Sequence, residues 1–529
     1  MAREPHVAYF CMEYGLSESF PIYSGGLGVL AGDFIRSARD LGAPVVAVGL
    51  RWERGYAVQR IGSDGAPEDA FATYDASFLE DTGVRVHVRV RGAEVTCAVR
   101  VTTRFGNVPL YLLDPLRAED RWITSRLYEA GTDVRIAQEM LLGIGGVRAL
   151  HWLGLPVATY HFNEGHAVFA GVELIAVRMA DGMTFPDAWA DTRRRIVFTT
   201  HTPVKAGNEE HTIKDLRRMG ACLELSGAEM RAIGGDPFNM TIAGLKLARR
   251  ANGVSALHAE TARAMWAHVE GAAPIIGIVN GVHAPSWQDA SIRAAAGDPG
   301  HLWAAHTAQK RELGATIAAR AGVTPDPAAL WIGIARRAAG YKRNDLVLRD
   351  AARLERLLAA GAVLVFSGKA HPDDAVGRAI VARIVDAARR HPGRVVFLEN
   401  YDIALARLLT RGCDAWLNNP VRPLEASGTS GMKAALNGLP NVSVLDGWWA
   451  EGYRPGENGW AIGDASAGDD EKDAAALHDT LAGQVLPAWA DAARWRAMMR
   501  ASIAVAEERF TAERMVREYF ARLYAEGGS

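Results

Sequence analysis

The segment ARRAAGYKR places four cations, Arg336, Arg337, Lys342 and Arg343, within eight residues. Arginine grips phosphate oxygens through a planar fork of donors and lysine adds a compact charge, so the group suits a phosphate dianion. A solvated basic turn has the same composition, but the apolar run 330–334 directly ahead fits it poorly. A second segment, EASGTSGMKAALNG, spans 425–438. Its small residues Ser427, Gly428, Thr429, Ser430 and Gly431 open a helix whose first turn carries Lys433. Amide and hydroxyl donors at such a start hold phosphate, and the amine can form an imine with an aldehyde cofactor. The order of residues is not that of a nucleotide-binding P-loop. A capped helix with an exposed lysine is the plain alternative.

The third segment is YSGGLGVLAGDF, 23–34, with Gly25, Gly26 and Gly28 ahead of a helix. Bare backbone N–H groups there attract an anion or a sugar hydroxyl. The spacing is not the dinucleotide fingerprint, and Glu53 falls too late for a ribose-binding acid. A tight turn with close helix packing accounts for the same glycines. His201 in FTTHTP and Asn280 in IVNGVH each follow an apolar strand and offer hydroxyl-binding groups. Asn163, Glu164 and His166 in YHFNEGHA, and Glu399 and Tyr401 in FLENYD, belong to the same class. Taken singly, each also reads as a satisfied core or turn residue.

These residues need elements to position them. Strand-like runs are expected at 7–10, 45–48, 196–199, 275–279, 330–334, 362–366, 395–398, 415–417 and 442–445. Helical stretches are expected at 29–41, 135–150, 346–359, 373–390 and 403–411. The alternation reads as an α/β fold with parallel sheets covered by helices. The stretch 71–113 instead alternates polar and apolar residues and suggests inserted hairpins. GVTPDP at 322–327 marks a boundary. The expected organisation is a Rossmann-like domain over 1–325, a second over 326–490, and terminal helices over 491–529 that cross back. Six polar clusters directly follow strands: HTP, NGVH, ARRAAGYKR, SGK, ENYD and NNP. Two doubly wound domains would gather such strand ends around one cleft.

Composition narrows the function classes. At 529 residues and 49% hydrophobic content, the chain is long enough for two cores. A net charge of −2 removes any general electrostatic case for nucleic acid or membrane as partner. Cys11, Cys97, Cys222 and Cys413 show no paired or metal-ligand spacing, so neither a disulfide framework nor a metal site is expected. The opening MAREPHVAYF runs into a strand-like segment without a leader pattern, and no apolar run is long enough to span a membrane. A cytoplasmic protein is expected.

Taken in order, FCMEYGLSESFPIYSGGLGVLAGD, HFNEGHA, VFTTHTPVKAG, VNGVHAPSW, IARRAAGYKR, VVFLENYDIALARLL and WLNNPVRPLEASGTSGMKAALNGLPNVSVLDGWW closely resemble the α-glucan phosphorylases, above all their compact bacterial and archaeal branch. The resemblance implies a GT-B architecture and pyridoxal phosphate (PLP) held on Lys433 as an imine. It also implies retaining phosphorolysis of terminal α-1,4-glucosyl units of glycogen or maltodextrin, giving α-glucose 1-phosphate. Residue by residue, Arg337 and Lys342 would bind the substrate phosphate, helped by the backbone of Gly25, Gly26 and Leu27. Arg336, Gly428 and Thr429 would lie at the cofactor phosphate, with Tyr401 and Gly26 nearby. His201, Asn280, Glu425, Ser427 and Gly428 would hold the glucosyl hydroxyls. The cofactor's phosphate would relay a proton to inorganic phosphate, so two anion cradles are required and no pair of catalytic carboxylates. A homodimer is compatible with this family. The chain begins almost at its first strand, without the extension that longer members carry ahead of YSGGLG. A nucleotide-sugar-dependent glucan synthase of the same architecture, or a non-catalytic glucan-binding relative, are the competing expectations.

Overall fold

The computed structural model describes residues 7–201, 208–464 and 468–525. They divide into two compact units. The first contains the described residues through Tyr56, from Phe71 to Val279 and from Met515 onward; the second contains Ala57–Ala70 and Asn280–Arg514.

The first unit is built on a nine-stranded sheet. Its order is Ile275–Gly277, Arg250–Gly253, Ile196–Thr199, Thr159–Asn163, Val7–Phe10, Val45–Leu50, Leu110–Pro115, Ala93–Thr102 and Glu80–Val90. The first seven run parallel and the last two pairings are antiparallel. VAYF and VVAVGL are buried at every position, which is why they read as unbroken apolar runs: both faces of a parallel sheet are covered. The antiparallel hairpin alternates exposed and buried residues instead. Its two-residue turn, Arg91 and Gly92, has φ of 53° and 79°, the left-handed pair that matches strand twist.

Helix Gly26–Asp40 follows the first strand and packs extremely close to the segment ahead of it. A Cβ on Gly32 would stand 2.2 Å from the Gly15 carbonyl oxygen, so this position accepts no side chain. The last described residues return to this unit. The Tyr524 hydroxyl lies 2.8 Å from Nδ1 of buried His161, whose Nε2 lies 2.7 Å from the Thr199 hydroxyl.

The second unit carries a six-stranded parallel sheet in the order Val395–Leu398, Ala362–Ser367, Leu330–Ala335, Ala415–Asn418, Asn441–Val444 and Gly459–Ile462. Leu330, Ile332 and Ile334 enter one core, while Trp331 and Ala335 enter another. That period of two shows a sheet clad on both faces. A buried ion cluster ties helix Pro299–Ala321 to the sheet: Asp414 accepts from Lys310 Nζ at 2.6 Å and the Trp331 N–H at 2.7 Å, with His306 Nε2 at 2.9 Å.

The small hairpin of Val58–Ile61 and Pro67–Ala70 also belongs here. Gln59 exchanges side-chain hydrogen bonds with the Ala370 backbone, at 3.0 and 3.1 Å. Glu399 accepts from Arg60 and the Ile61 N–H, at 2.8 and 2.9 Å. Glu399, a candidate ligand residue by sequence, is therefore spent on anchoring. By contacts the unit begins at Asn280, upstream of the composition break at 322–327. No helix among the described residues is long and apolar enough to cross a membrane.

Candidate active site

In the second unit the strand Leu330–Ala335 delivers Arg336 into a buried position at its C-terminal end. Its guanidinium donates to the Leu417 carbonyl at 3.1 Å, to Asn418 Oδ1 at 2.6 Å and to Asn419 Oδ1. All three acceptors are neutral, and no carboxylate among the described residues pairs with it. Its Nε is buried without a partner. Burial pulls the group down to about 10, against the pull of the Glu425 carboxylate, so it stays charged at neutral pH. A buried cation with neutral hydrogen-bond partners and a spare N–H can receive an anion.

The other three cations of the cluster have different fates. Arg337 is exposed on the same turn. Lys342 pairs with Glu425, and both side chains are largely buried. Burial works against the ammonium, but Glu425 overcomes it and the pKa rises. Arg343 does not join the cradle that composition suggested. It donates to the Asn419 and Pro420 carbonyls at 2.9 and 2.7 Å and pairs with Asp470 and Asp473 at 3.0 and 2.7 Å. Its partners lie far along the chain, so local sequence could not show that it locks the turn in place.

The loop 425–429 is held from behind by Asp446, a residue the sequence reading passed over. Asp446 accepts from the N–H groups of Glu425 and Gly447, at 2.9 and 2.8 Å, and the Trp448 N–H donates to the Ser427 carbonyl at 2.8 Å. Burial lifts Asp446 to about 6 despite those donors, and the nearby Glu425 adds to the rise. Gly428 takes φ 82°, a left-handed conformation that suits glycine, and helix Thr429–Leu436 starts from it. The Ser427 hydroxyl is buried and without a partner among the described residues.

Lys433 stands in the second turn of this helix rather than the first, and it is buried, which removes the exposed-lysine alternative. Its Nζ lies 3.8 Å from the ring centroid of Trp287, a favourable cation–π contact. Asn437 makes that contact possible: its amide donates to the carbonyls of Trp287 and Lys433, both at 2.9 Å, and it accepts from the Asp289 N–H at 2.8 Å. Tyr401 is close enough to Arg336 for the cation to act on its phenol, whose pKa burial raises. Asn280 is buried with its side-chain oxygen unpartnered, and its carbonyl accepts from Arg514 at 3.1 Å.

The first unit holds the remaining candidates, Gly25, Gly26, Leu27 and His201. Among the described residues, a Cβ on Gly25 or Gly26 would meet nothing within 4 Å, so these two glycines present open backbone to them. Gly28 is different, since its Cβ would lie 2.5 Å from Glu13. Close packing thus accounts for Gly28 and not for Gly25 and Gly26. His201 is uncharged, held down to about 3 by burial and then by neighbouring histidines. Its Nε2 lies 2.6 Å from Asn163 Oδ1, and its N–H donates to Glu164. With Nε2 as donor, Nδ1 is an acceptor. The rest of the HTP motif, Thr202 and Pro203, lies outside the described residues. His166 is also kept neutral, at about 4, by burial.

Six described residues other than glycine adopt positive φ, and four of them adjoin these groups. Glu164 (74°) holds His201, Arg343 (49°) follows Lys342, Asn400 (56°) precedes Tyr401, and Tyr128 (57°) donates to Glu13 at 2.7 Å. Such conformations cost energy and collect where geometry must be exact for chemistry.

Residues 297–451 match the family model described as carbohydrate phosphorylase. A maltodextrin phosphorylase of Thermococcus litoralis is 39% identical, covering 99% of this chain and 71% of the relative. A glycogen phosphorylase of Mycobacterium bovis is 40% identical, covering 98% and 70%. One from Aquifex aeolicus is 33% identical, covering 98% and 86%. Identity at this level along almost the whole sequence, over strands that end in the anion-receptive groups just described, makes the chain a member of the carbohydrate phosphorylase family.

Proposed function

We propose that this protein is an α-glucan phosphorylase, transferring terminal α-1,4-linked glucosyl units of glycogen or maltodextrin to inorganic phosphate to release α-glucose 1-phosphate. The observation that carries the reading is buried Arg336, charged and, among the described residues, bound only to neutral acceptors and without a partner on Nε. The residues also fit PLP. Lys433 is a buried amine, Ser427 Oγ is orphaned, and Gly428 opens a helix whose first N–H groups have no side-chain cap. Arg336, Gly428 and Thr429 would hold the cofactor's phosphate, with Tyr401 and Gly26 in its surroundings and Lys433 as its attachment. When bound, PLP supplies through its phosphate a proton relay to the substrate phosphate.

The protein's own groups do the rest. Arg337 and Lys342 bind and orient inorganic phosphate, assisted by the backbone of Gly25, Gly26 and Leu27. Neutral His201, whose Nε2–H is engaged by Asn163, accepts from a sugar hydroxyl through Nδ1 and takes no part as a charged acid. Asn280, Glu425, Ser427 and Gly428 fix the glucosyl ring, and Glu425 also tempers the charge of Lys342 before phosphate arrives. Fixed charges near the anomeric carbon favour an oxocarbenium-like transition state without a carboxylate nucleophile. The GT-B arrangement, two Rossmann-like units facing across a cleft, belongs to this proposal. So does a cytoplasmic location, which four buried, unpaired cysteines support.

The test is glucose 1-phosphate release from maltodextrin and phosphate, with and without added PLP. Phosphate-dependent release that needs PLP is expected. Consumption of ADP-glucose or UDP-glucose with no requirement for phosphate would overturn the reading.

A further inference from the structure

Glu13 lies at the foot of the glycine turn and is 2% exposed. One carboxylate oxygen accepts from the Ser24 N–H at 2.7 Å and the Gly25 N–H at 3.3 Å. The other accepts from the Tyr128 hydroxyl at 2.7 Å. Both oxygens are thus engaged from opposite sides, and Gly28 packs directly against the carboxylate. Tyr128 is fixed in turn. Its backbone is left-handed, and the Arg135 guanidinium lies 5.2 Å from its ring centroid. Arg135 is anchored by two hydrogen bonds to Glu209, at 2.8 and 2.6 Å.

Helix Gly26–Asp40 has no side-chain cap, so nothing of that kind covers its first N–H groups. The carboxylate grips the two residues just before them and leaves the face of Gly25 and Gly26 open. We infer that Glu13 and Tyr128 are positioning residues that set the orientation of the Gly25 and Gly26 backbone toward the reacting phosphate. This rests on the phosphorolytic reading above. A carboxylate accepts on both sides, whereas a glutamine keeping its oxygen for Ser24 and Gly25 would present an N–H donor to Tyr128 and reverse that bond. Burial raises the pKa of the Tyr128 phenol, with Glu13 adding to the rise, so the tyrosine remains a donor.

The test compares Glu13→Gln and Tyr128→Phe with the wild-type holoenzyme, titrating phosphate and maltodextrin separately. Glu13→Gln is expected to raise the KM for phosphate about tenfold, with the KM for maltodextrin within about twofold of wild type. Tyr128→Phe, which leaves the Ser24 and Gly25 bonds in place, should raise the phosphate KM about threefold. An unchanged phosphate KM in both folded variants overturns the inference. So do equal losses toward both substrates accompanied by a lower Tm, which mark a merely structural role. If Glu13→Gln does not fold, Tyr128→Phe decides alone by the same criteria. Wild-type protein that needs no phosphate fails the functional reading itself, and the inference with it, before any variant is compared.

Discussion

The two units prepare their candidate residues by opposite electrostatic means. In the second, permanent cations are gathered at strand ends: Arg336 keeps its charge though buried, and Lys342 is raised by Glu425. In the first, burial removes charge. His201 and His166 are held neutral. The second unit thus offers buried permanent cations, and the first offers open glycine backbone and neutral side chains. An enzyme that brings phosphate to a sugar needs both.

Breaking the charged side should have the largest effect. Lys433→Ala is expected to lose the cofactor, with phosphorolysis falling by about three orders of magnitude or more; retained PLP absorbance would contradict the assignment. Arg337→Ala should raise the KM for phosphate about 10- to 100-fold while the KM for maltodextrin changes little, as steady-state titrations of each substrate would show.

A subtler intervention sharpens the contrast by exploiting a carboxylate on the charged side. Asp446 sits at about 6, raised by burial, whereas an unfolded chain titrates it near 4. The native state therefore holds a proton that the unfolded state has already released. The stability this group contributes is full below about pH 4 and is lost as pH rises through about 6. Activity runs the other way, because the ionised carboxylate is the better acceptor for the N–H groups of Glu425 and Gly447. An acid limb near pH 6 is expected in kcat/KM, and Asp446→Asn should flatten it and lower the plateau about tenfold. A limb that persists unchanged in the variant would remove Asp446 as its source. Smallest for turnover is Lys310→Met, which breaks the buried pair with Asp414. Stability should fall by about 3–5 kcal/mol in denaturant titrations, with activity per folded molecule intact.

The strand ends were legible because a strand buried on both faces is a short apolar run, and the polar residues after it stand out. Ile196–Thr199 and Val395–Leu398 have the expected bounds, while Val45–Leu50 and Leu330–Ala335 run slightly longer. Thr159–Asn163 escaped notice because His161 interrupts its apolar pattern; only the folded chain supplies Tyr524 and Thr199 as partners. The candidate site followed the same rule. Lys433, Arg336 and the small residues before the helix were visible locally. The loss of Arg343 to Asp470 and Asp473, the service of Asp446 behind Glu425, and the seat of Lys433 on Trp287 were not, since each depends on segments remote in sequence.

The left-handed corners at Tyr128, Glu164, Arg343 and Asn400 carry a consequence for engineering. Glycine at any of them would relax the backbone by about 1 kcal/mol, but it would also remove a side chain in use: Tyr128 bonds Glu13, Glu164 holds His201, Asn400 accepts from the Gln59 N–H, and Arg343 binds Asn419, Pro420, Asp470 and Asp473. Each also adjoins a candidate site residue, so the loss would fall on the proposed site as well as on stability. Thermostable variants are better sought at the Arg91 turn, where the same relief touches no such neighbour.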